Sequence, residues 1–269
     1  MLLPVVITAA LEAGEATLDV YNSKDFEVEE KADHSPLTLA DKRSHEIIVA
    51  GLTDTGIPVL SEEGRDIAYD TRIEWDRLWI IDPLDGTKEF IKKNDEFTVN
   101  IALVKNHRPV LGVIYVPVIG ALYFAAETIG AFFISHSDMP VDHGNGLDQV
   151  LALAKKLPLQ KDPERPYTIM GSRSHATPEL AEFVEEMRAR HKNIELVSAG
   201  SSLKFCHIAE GRADIYPRMG PTMEWDTAAG QIIAEQAGAV VYDYHTHIPL
   251  QYNKPDLINP WFVVERAER

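Results

Sequence analysis

Leu78-Trp79-Ile80-Ile81-Asp82-Pro83-Leu84-Asp85-Gly86-Thr87-Lys88-Glu89-Phe90 is the stretch on which the reading of this chain turns. Its first four residues are an unbroken apolar run, the pattern of a strand buried on both faces. Asp82 and Asp85 then stand three positions apart across a Pro-initiated turn, and Gly86-Thr87 lets the chain bend sharply into a helix. Two hard oxygen ligands on a rigid turn, beside the N–H groups of a helix start, suit a divalent cation that holds a phosphate.

Upstream, Pro58-Val59-Leu60 reads as a short strand running into Ser61-Glu62-Glu63-Gly64, so a second acidic pair closes a second apolar segment. Apolar residues at helical spacing predict helices over 5–20 (Val6, Leu11, Leu18) and 38–52 (Leu39, Ile47, Ile48, Leu52). Downstream, Phe97 to Val104, Val110 to Val116, Ala121 to Ala126 and Ala131 to Ile134 predict an antiparallel meander, with breaks at Asn106-His107 and Val118-Ile119-Gly120. The polar, glycine-bearing segment from Ser135 to Gly146 is expected in a surface loop.

From Pro166 the texture alternates. Tyr167 to Met170, Ile194 to Val197, Asp214 to Tyr216 and Ala239 to Tyr242 read as strands. Between them lie predicted helices, one opened by Thr177-Pro178, one over Ser202 to Glu210, and one over Asp226 to Ala237 ending at Gly238. An α+β half (1–150) followed by an α/β half (151–269) is expected, with the boundary near 140–165.

The chain has 269 residues, enough to bury a full core. Its net charge of −16 argues against nucleic acid or an anionic membrane as partner, since both need a basic surface. An anionic substrate must then be recruited locally, by bound metal or a few placed Lys and Arg. The single cysteine, Cys206, rules out an internal disulfide and suits a reducing compartment. No run approaches the roughly 18 apolar residues of a membrane span. Met1-Leu2-Leu3-Pro4 lacks the basic start of a signal peptide, so a cytoplasmic location is expected.

Three acidic groups carry the chemistry: Glu62 with Glu63, Asp82 with Asp85, and Asp226 within Glu224-Trp225-Asp226-Thr227-Ala228-Ala229. Any one of them could be a solvated carboxylate, and Asp226 could be a helix N-cap. Together, at the mouths of apolar segments, they repel one another unless cations neutralise them. An EF-hand does not fit, because Pro83 occupies its second position and Lys93 its twelfth. His245 and His247 read as a solvated or hydrogen-bonded pair rather than a zinc site, and Cys206 as a core filler rather than a nucleophile.

Asp41, Glu62-Glu63, Asp82-Pro83-Leu84-Asp85-Gly86-Thr87 and Trp225-Asp226-Thr227-Ala228-Ala229, in that order, resemble the signature of the magnesium-dependent, lithium-sensitive phosphatases related to inositol monophosphatase. Within that superfamily the chain is most similar to the CysQ-type 3′(2′),5′-bisphosphate nucleotidases. The narrower match rests on Gly171-Ser172-Arg173-Ser174-His175, Gly200-Ser201-Ser202-Leu203-Lys204-Phe205-Cys206, Tyr216-Pro217-Arg218 and the Lys88-Glu89-Phe90 extension. The resemblance implies a layered αβαβα sandwich and two or three magnesium ions. By that analogy Glu62, Asp82 and the Leu84 carbonyl would hold the first ion, and Asp82, Asp85 and Asp226 the second. Thr87, oriented by Asp41, would take a proton from the nucleophilic water, and Glu63 would assist through a third ion. The backbone of Gly86 and Thr87 would receive the phosphate.

Ser172, His175, Ser201 and Lys204 match positions that contact the nucleotide in such enzymes, and Arg218 is added for a second phosphate. The implied reaction is hydrolysis of adenosine 3′,5′-bisphosphate to AMP and phosphate, with phosphoadenylylsulfate as a second substrate, in sulfur metabolism. Two other readings share parts of this pattern: an inositol or general sugar phosphatase on the same scaffold, and a non-catalytic metal-dependent nucleotide-binding protein. The resemblance further implies a monomer, although related inositol phosphatases form dimers, and some relatives sit on the cytoplasmic face of the inner membrane.

Overall fold

The computed structural model describes residues 2–23, 26–30, 36–139, 146–159, 162, 164–172 and 177–267. Helix α1 (Leu3–Asn22) starts with Pro4 in its first turn, where a missing N–H costs no hydrogen bond. After the short pair β1 (Glu29–Glu30) and β2 (Pro36–Leu37), helix α2 (Leu39–Leu52) opens on a capping box in which Thr38 and Asp41 exchange hydrogen bonds. Next come β3 (Val59–Ser61), the single-turn α3 (Tyr69–Arg72), β4 (Arg77–Asp85) and α4 (Thr87–Lys92). The meander follows the predicted order: β5 (Thr98–Lys105), β6 (Arg108–Val116), β7 (Ala121–Ala126) and β8 (Gly130–Ser135).

A helix α5 (Leu147–Leu153) and a two-residue strand β9 (Lys155–Lys156) lead to the second sheet. That part contains β10 (Tyr167–Ser172), α6 (Pro178–Arg190), β11 (Ile194–Ala199), α7 (Leu203–Glu210), β12 (Ile215–Arg218), α8 (Ala228–Gln236), β13 (Ala239–Asp243) and β14 (Phe262–Arg266). Among the described residues the first sheet runs β3-β4-β5-β6-β7-β8-β9, with β3 and β4 parallel and the rest antiparallel. The second runs β11-β10-β12-β14-β13 and mixes parallel with antiparallel pairs.

The layers are explained by β4. Trp79 and Ile81 point into one core with Ile7, Leu11 and Ile48 of α1 and α2, while Leu78 and Ile80 point into another with Phe205, Ile208 and Ile232 of α7 and α8. Period-two alternation therefore has no polar side, and the run reads as continuous. The second core also takes Tyr216, Phe262 and Val264 from the second sheet, whose outer face is covered by Phe183, Val184 and Met187 of α6. The order α1/α2, sheet, α7/α8, sheet, α6 is the expected αβαβα sandwich.

Three features add to or correct the sequence reading. Asp226 is not in the helix predicted to start there: it ends a 3₁₀ turn (Glu224–Asp226), and α8 begins only at Ala228. The Asp226 carboxylate accepts the Met223 N–H at 2.8 Å, which folds the chain back before the helix proper begins. His245 and His247 lie in the exposed segment after β13, stacked on Trp261 and Tyr242 respectively. The polar stretch after Ser135 holds a 3₁₀ turn (His136–Asp138) before buried Met139, and the following six residues lie outside the described set.

Gly112 in β6 is where α8 meets the first sheet. A Cβ there would lie 2.5 Å from the Ile232 side chain and 2.8 Å from the Ala229 carbonyl, and that backbone cannot yield without moving the helix. Gly112→Ala should therefore cost about 1–3 kcal/mol. Denaturant unfolding would measure it, and an unchanged midpoint would show that α8 moves freely.

Candidate active site

The carboxylates converge because two strands end side by side. β3 runs parallel to β4 with Ser61 opposite Ile81, so Glu62 emerges next to Asp82, and the Glu62 N–H donates to the Ile81 carbonyl at 3.2 Å. The pairing of β4 with β5 slips between Asp82 and Asp85. That slip lets both aspartates turn toward the same side, although an even strand would alternate them. Asp82 is buried and its carboxylate accepts the Leu84 N–H at 3.1 Å. Ser44 of α2 fixes the turn from behind, donating to the Pro83 carbonyl at 2.6 Å. Gly86 follows with φ of +95° and a Cβ position only 2.9 Å from the Glu96 carbonyl, so no larger residue fits the bend.

Asp226 arrives from the other half of the chain. One carboxylate oxygen each from Asp82, Asp85 and Asp226 lie within 4.8 Å of one another. The 3₁₀ turn that carries Asp226 is held by Glu224, a fully buried carboxylate that accepts the N–H groups of Asn253 and Lys254 and the Lys254 ammonium. Arg72 braces the same loop, donating to Asn253 Oδ1 at 2.7 Å. Thr87 opens α4 with its hydroxyl 3.3 Å from Asp41 Oδ1 and 3.4 Å from the Leu84 carbonyl, while Asp41 Oδ2 takes the Thr38 N–H and hydroxyl. Glu63 follows Glu62 with its N–H on the Ser61 hydroxyl.

The electrostatics are those of a site built for cations. Burial first, then the charges of Glu62, Asp85 and Asp226, hold the Asp82 carboxyl well above the usual carboxylate range. Burial and Asp85 push Asp226 up to about 8. Asp85 is also raised, chiefly by burial, but the Lys204 charge and hydrogen bonds from Ser202 and Asn100 pull it back. A cation relieves both the burial penalty and the repulsion. The all-oxygen donor set fits a hard ion such as Mg²⁺ rather than a thiophilic or imidazole-seeking metal.

Asp85 and Asp226 share one cleft with Gly86, Ser201, Lys204 and Arg218. Lys204 is buried, donates to the Ala199 and Ser201 carbonyls, and lies 5.4 Å from the Tyr216 ring centroid. Burial pulls its pKa down to about 8. Arg218 donates to the Pro221 carbonyl at 2.9 Å, yet its Nε is buried without a protein partner, as is Ser201 Oγ. Buried donors without partners mark places for a ligand's acceptors. Of the remaining expected positions, Ser172 ends β10 opposite Ala199 of β11, and His175 lies outside the described residues.

Three further residues shape the site without having been expected from sequence. Glu96 accepts the Gly200 N–H at 2.7 Å and so fixes the turn before Ser201. Asn100 and Ser202 both reach Asp85. Ser202 lay inside a motif singled out for its neighbours, whereas nothing local marked Asn100.

The family model for the inositol monophosphatase family matches residues 2–266. The chain belongs to this family. It is 43% identical over 267 residues to the "3′(2′),5′-bisphosphate nucleotidase CysQ" of Escherichia coli K12, covering 98% of this chain and 99% of that protein. It is 36% identical to the protein of the same name from Haemophilus influenzae, covering 98% and 92%. The crystal structure of CysQ from Bacteroides thetaiotaomicron superposes with a TM-score of 0.90 at 52% identity, covering 98% of this chain and 97% of that one. A Thermotoga maritima IMPase shares the fold, with a TM-score of 0.72 at 23% identity.

Proposed function

We propose that this chain is a magnesium-dependent 3′(2′),5′-bisphosphate nucleotidase that hydrolyses adenosine 3′,5′-bisphosphate to AMP and phosphate. The observation that carries the reading is the shared cleft, with Asp85 and Asp226 against Lys204, Arg218 and the buried donors of Ser201 and Arg218. A phosphomonoester presents the charge that the carboxylate side can accept only with cations, and a second phosphate gives the basic side its partner.

Glu62, Asp82 and the Leu84 carbonyl would hold one magnesium ion, and Asp82, Asp85 and Asp226 a second, with Glu63 beside a third. Magnesium bound there supplies the charge neutralisation that lets an anionic phosphoester accept water as nucleophile. Gly86 and Thr87 present first-turn N–H groups, which lack intrahelical acceptors, to the phosphate. Thr87 would take the proton that the attacking water releases while its own hydroxyl proton passes to Asp41 Oδ1, to which it already donates. By the family resemblance Ser172, His175, Ser201 and Lys204 would contact the nucleotide, and Arg218 its second phosphate. Phosphoadenylylsulfate, which carries the same 3′-phosphate, is a second substrate in this account.

No helix among the described residues is long and apolar enough to cross a membrane. Buried, unpaired Cys206 fits a reducing cytoplasm, and we favour a monomer.

Lys204 separates this reading from a general sugar phosphatase, which shares every metal residue. Lys204→Ala should raise KM for adenosine 3′,5′-bisphosphate by about 10–100-fold, the worth of a lost charge-assisted hydrogen bond. KM for inositol 1-phosphate should change far less. Equal increases for both substrates would favour the sugar phosphatase.

A further inference from the structure

Asp85 is held by residues from two different layers of the sandwich. Thr98 and Asn100 lie on one face of β5 in the first sheet, and Ser202 is the residue immediately before α7. All three are buried, at 0%, 1% and 2% exposure, where a polar side chain is retained only if its hydrogen bonds are made. The Thr98 hydroxyl donates to Asn100 Oδ1 at 2.9 Å, which turns the amide so that Nδ2 faces the cleft. Nδ2 then donates to Ser202 Oγ at 3.0 Å and reaches Asp85 Oδ2 at 3.4 Å. Ser202 Oγ lies 2.8 Å from Asp85 Oδ2 and 3.0 Å from the Asp226 carbonyl.

Both donors to Asp85 meet the same oxygen, Oδ2, and neither engages Oδ1. A carboxylate gripped at one oxygen is fixed in rotation, with the other presented in one direction. The serine has one proton and two acceptors within reach, the Asp85 carboxylate and the backbone of Asp226. A single hydroxyl, itself braced by Asn100, thus bridges these two ligand-bearing segments directly. Nothing in the immediate sequence of Asp85 or Asp226 could do this, because one segment ends β4 of the first sheet and the other follows β12 of the second.

We propose that Asn100 and Ser202 are positioning residues that act as one strut, aligning Asp85 with Asp226 for the cation they share. The proposal rests on the cation reading of the cluster and not on the identity of the substrate. Outer partners of metal ligands commonly contribute about 10–100-fold to affinity. Because the strut works as a unit, removing either end should forfeit most of it.

The test is a magnesium titration followed by thermal unfolding of the full-length protein, without substrate, for wild type, Asn100→Ala, Ser202→Ala, the double variant and Ser202→Thr. The half-saturating magnesium concentration should rise at least tenfold in each alanine variant. The double variant should be no more than about twofold worse than the weaker single one, and Ser202→Thr, which keeps the hydroxyl, should recover most of the affinity. In EDTA the single variants should melt within a few degrees of wild type. Alanine variants that melt lower by the same amount with and without magnesium, at an unchanged half-saturating concentration, would reduce the two residues to packing and overturn the proposal. Multiplicative effects in the double variant would overturn the strut. A wild type that does not respond to magnesium would instead contradict the cation reading itself.

Discussion

Asp82→Asn is expected to lower kcat for adenosine 3′,5′-bisphosphate by about 10³-fold, the scale on which charge-stabilising groups act in a closed site. In the proposed arrangement Asp82 is the carboxylate that would serve both cations, and it is the most buried of the three that converge. The same change should stabilise the metal-free protein. Asparagine keeps an acceptor for the Leu84 N–H and removes one charge from a cluster in which burial and the Glu62, Asp85 and Asp226 charges all disfavour ionisation. A gain of about 0.5–2 kcal/mol in EDTA is expected, as where a site trades stability for activity. Thermal unfolding of wild type and variant, with EDTA and with magnesium, would show a higher melting temperature for the variant in EDTA and a smaller magnesium response. Undiminished phosphate release would remove Asp82 from the mechanism.

The second large effect is a stability that falls with pH in the metal-free protein and a magnesium stabilisation that grows with pH. Asp82, Asp85 and Asp226 all have pKa values above the ordinary carboxylate value, with Asp226 raised from 3.8 to about 8. Between those limits the folded protein holds protons that the unfolded chain has released, so stability must fall as pH rises through the window. Metal-free protein should therefore lose a few kcal/mol, in order of magnitude, from about pH 5 to pH 8. Lys204, lowered to about 8, acts in the other direction only above that value and does not cancel the slope. Magnesium replaces the protons, so its stabilising effect should grow from pH 6 to pH 8. Melting curves across that range, with EDTA or magnesium, test both slopes. A metal-free protein whose stability rises with pH from 5 to 8 would mean that the carboxylates are not gathered as described.

Much of this was legible in the chain because its signals are local. The strand before Asp82, the proline turn and the glycine bend need only thirteen consecutive residues, and helical spacing in 5–20 and 38–52 announces α1 and α2. The αβαβα layering is implied by the family resemblance, and its physical cause lies in β4, where Trp79 and Leu78 face different cores. Strand β14 carries an apolar run in Phe262-Val263-Val264, whereas β9 is two exposed lysines with no pattern to read. The start of α8 was misplaced because an aspartate before an apolar run looks like an N-cap. Its carboxylate instead folds back to Met223.

Side chains that act across the fold leave no such trace. Asn100 and Ser202 meet over 102 positions of sequence, and Glu224 anchors Asp226 through a loop about 30 residues further on. Their roles depend on which layers come together, which no window of sequence contains. Lys204 and Arg218 line the cleft with Asp85 and Asp226, while Ser172 ends β10.

The most direct measurement compares kcat/KM for adenosine 3′,5′-bisphosphate and inositol 1-phosphate, with magnesium and with EDTA, on one preparation. The account predicts magnesium-dependent phosphate release with the nucleotide favoured by at least about 10²-fold, since only the nucleotide brings a second phosphate to Lys204 and Arg218. Release from inositol 1-phosphate equal to or faster than from the nucleotide, or release that persists in EDTA, would contradict it.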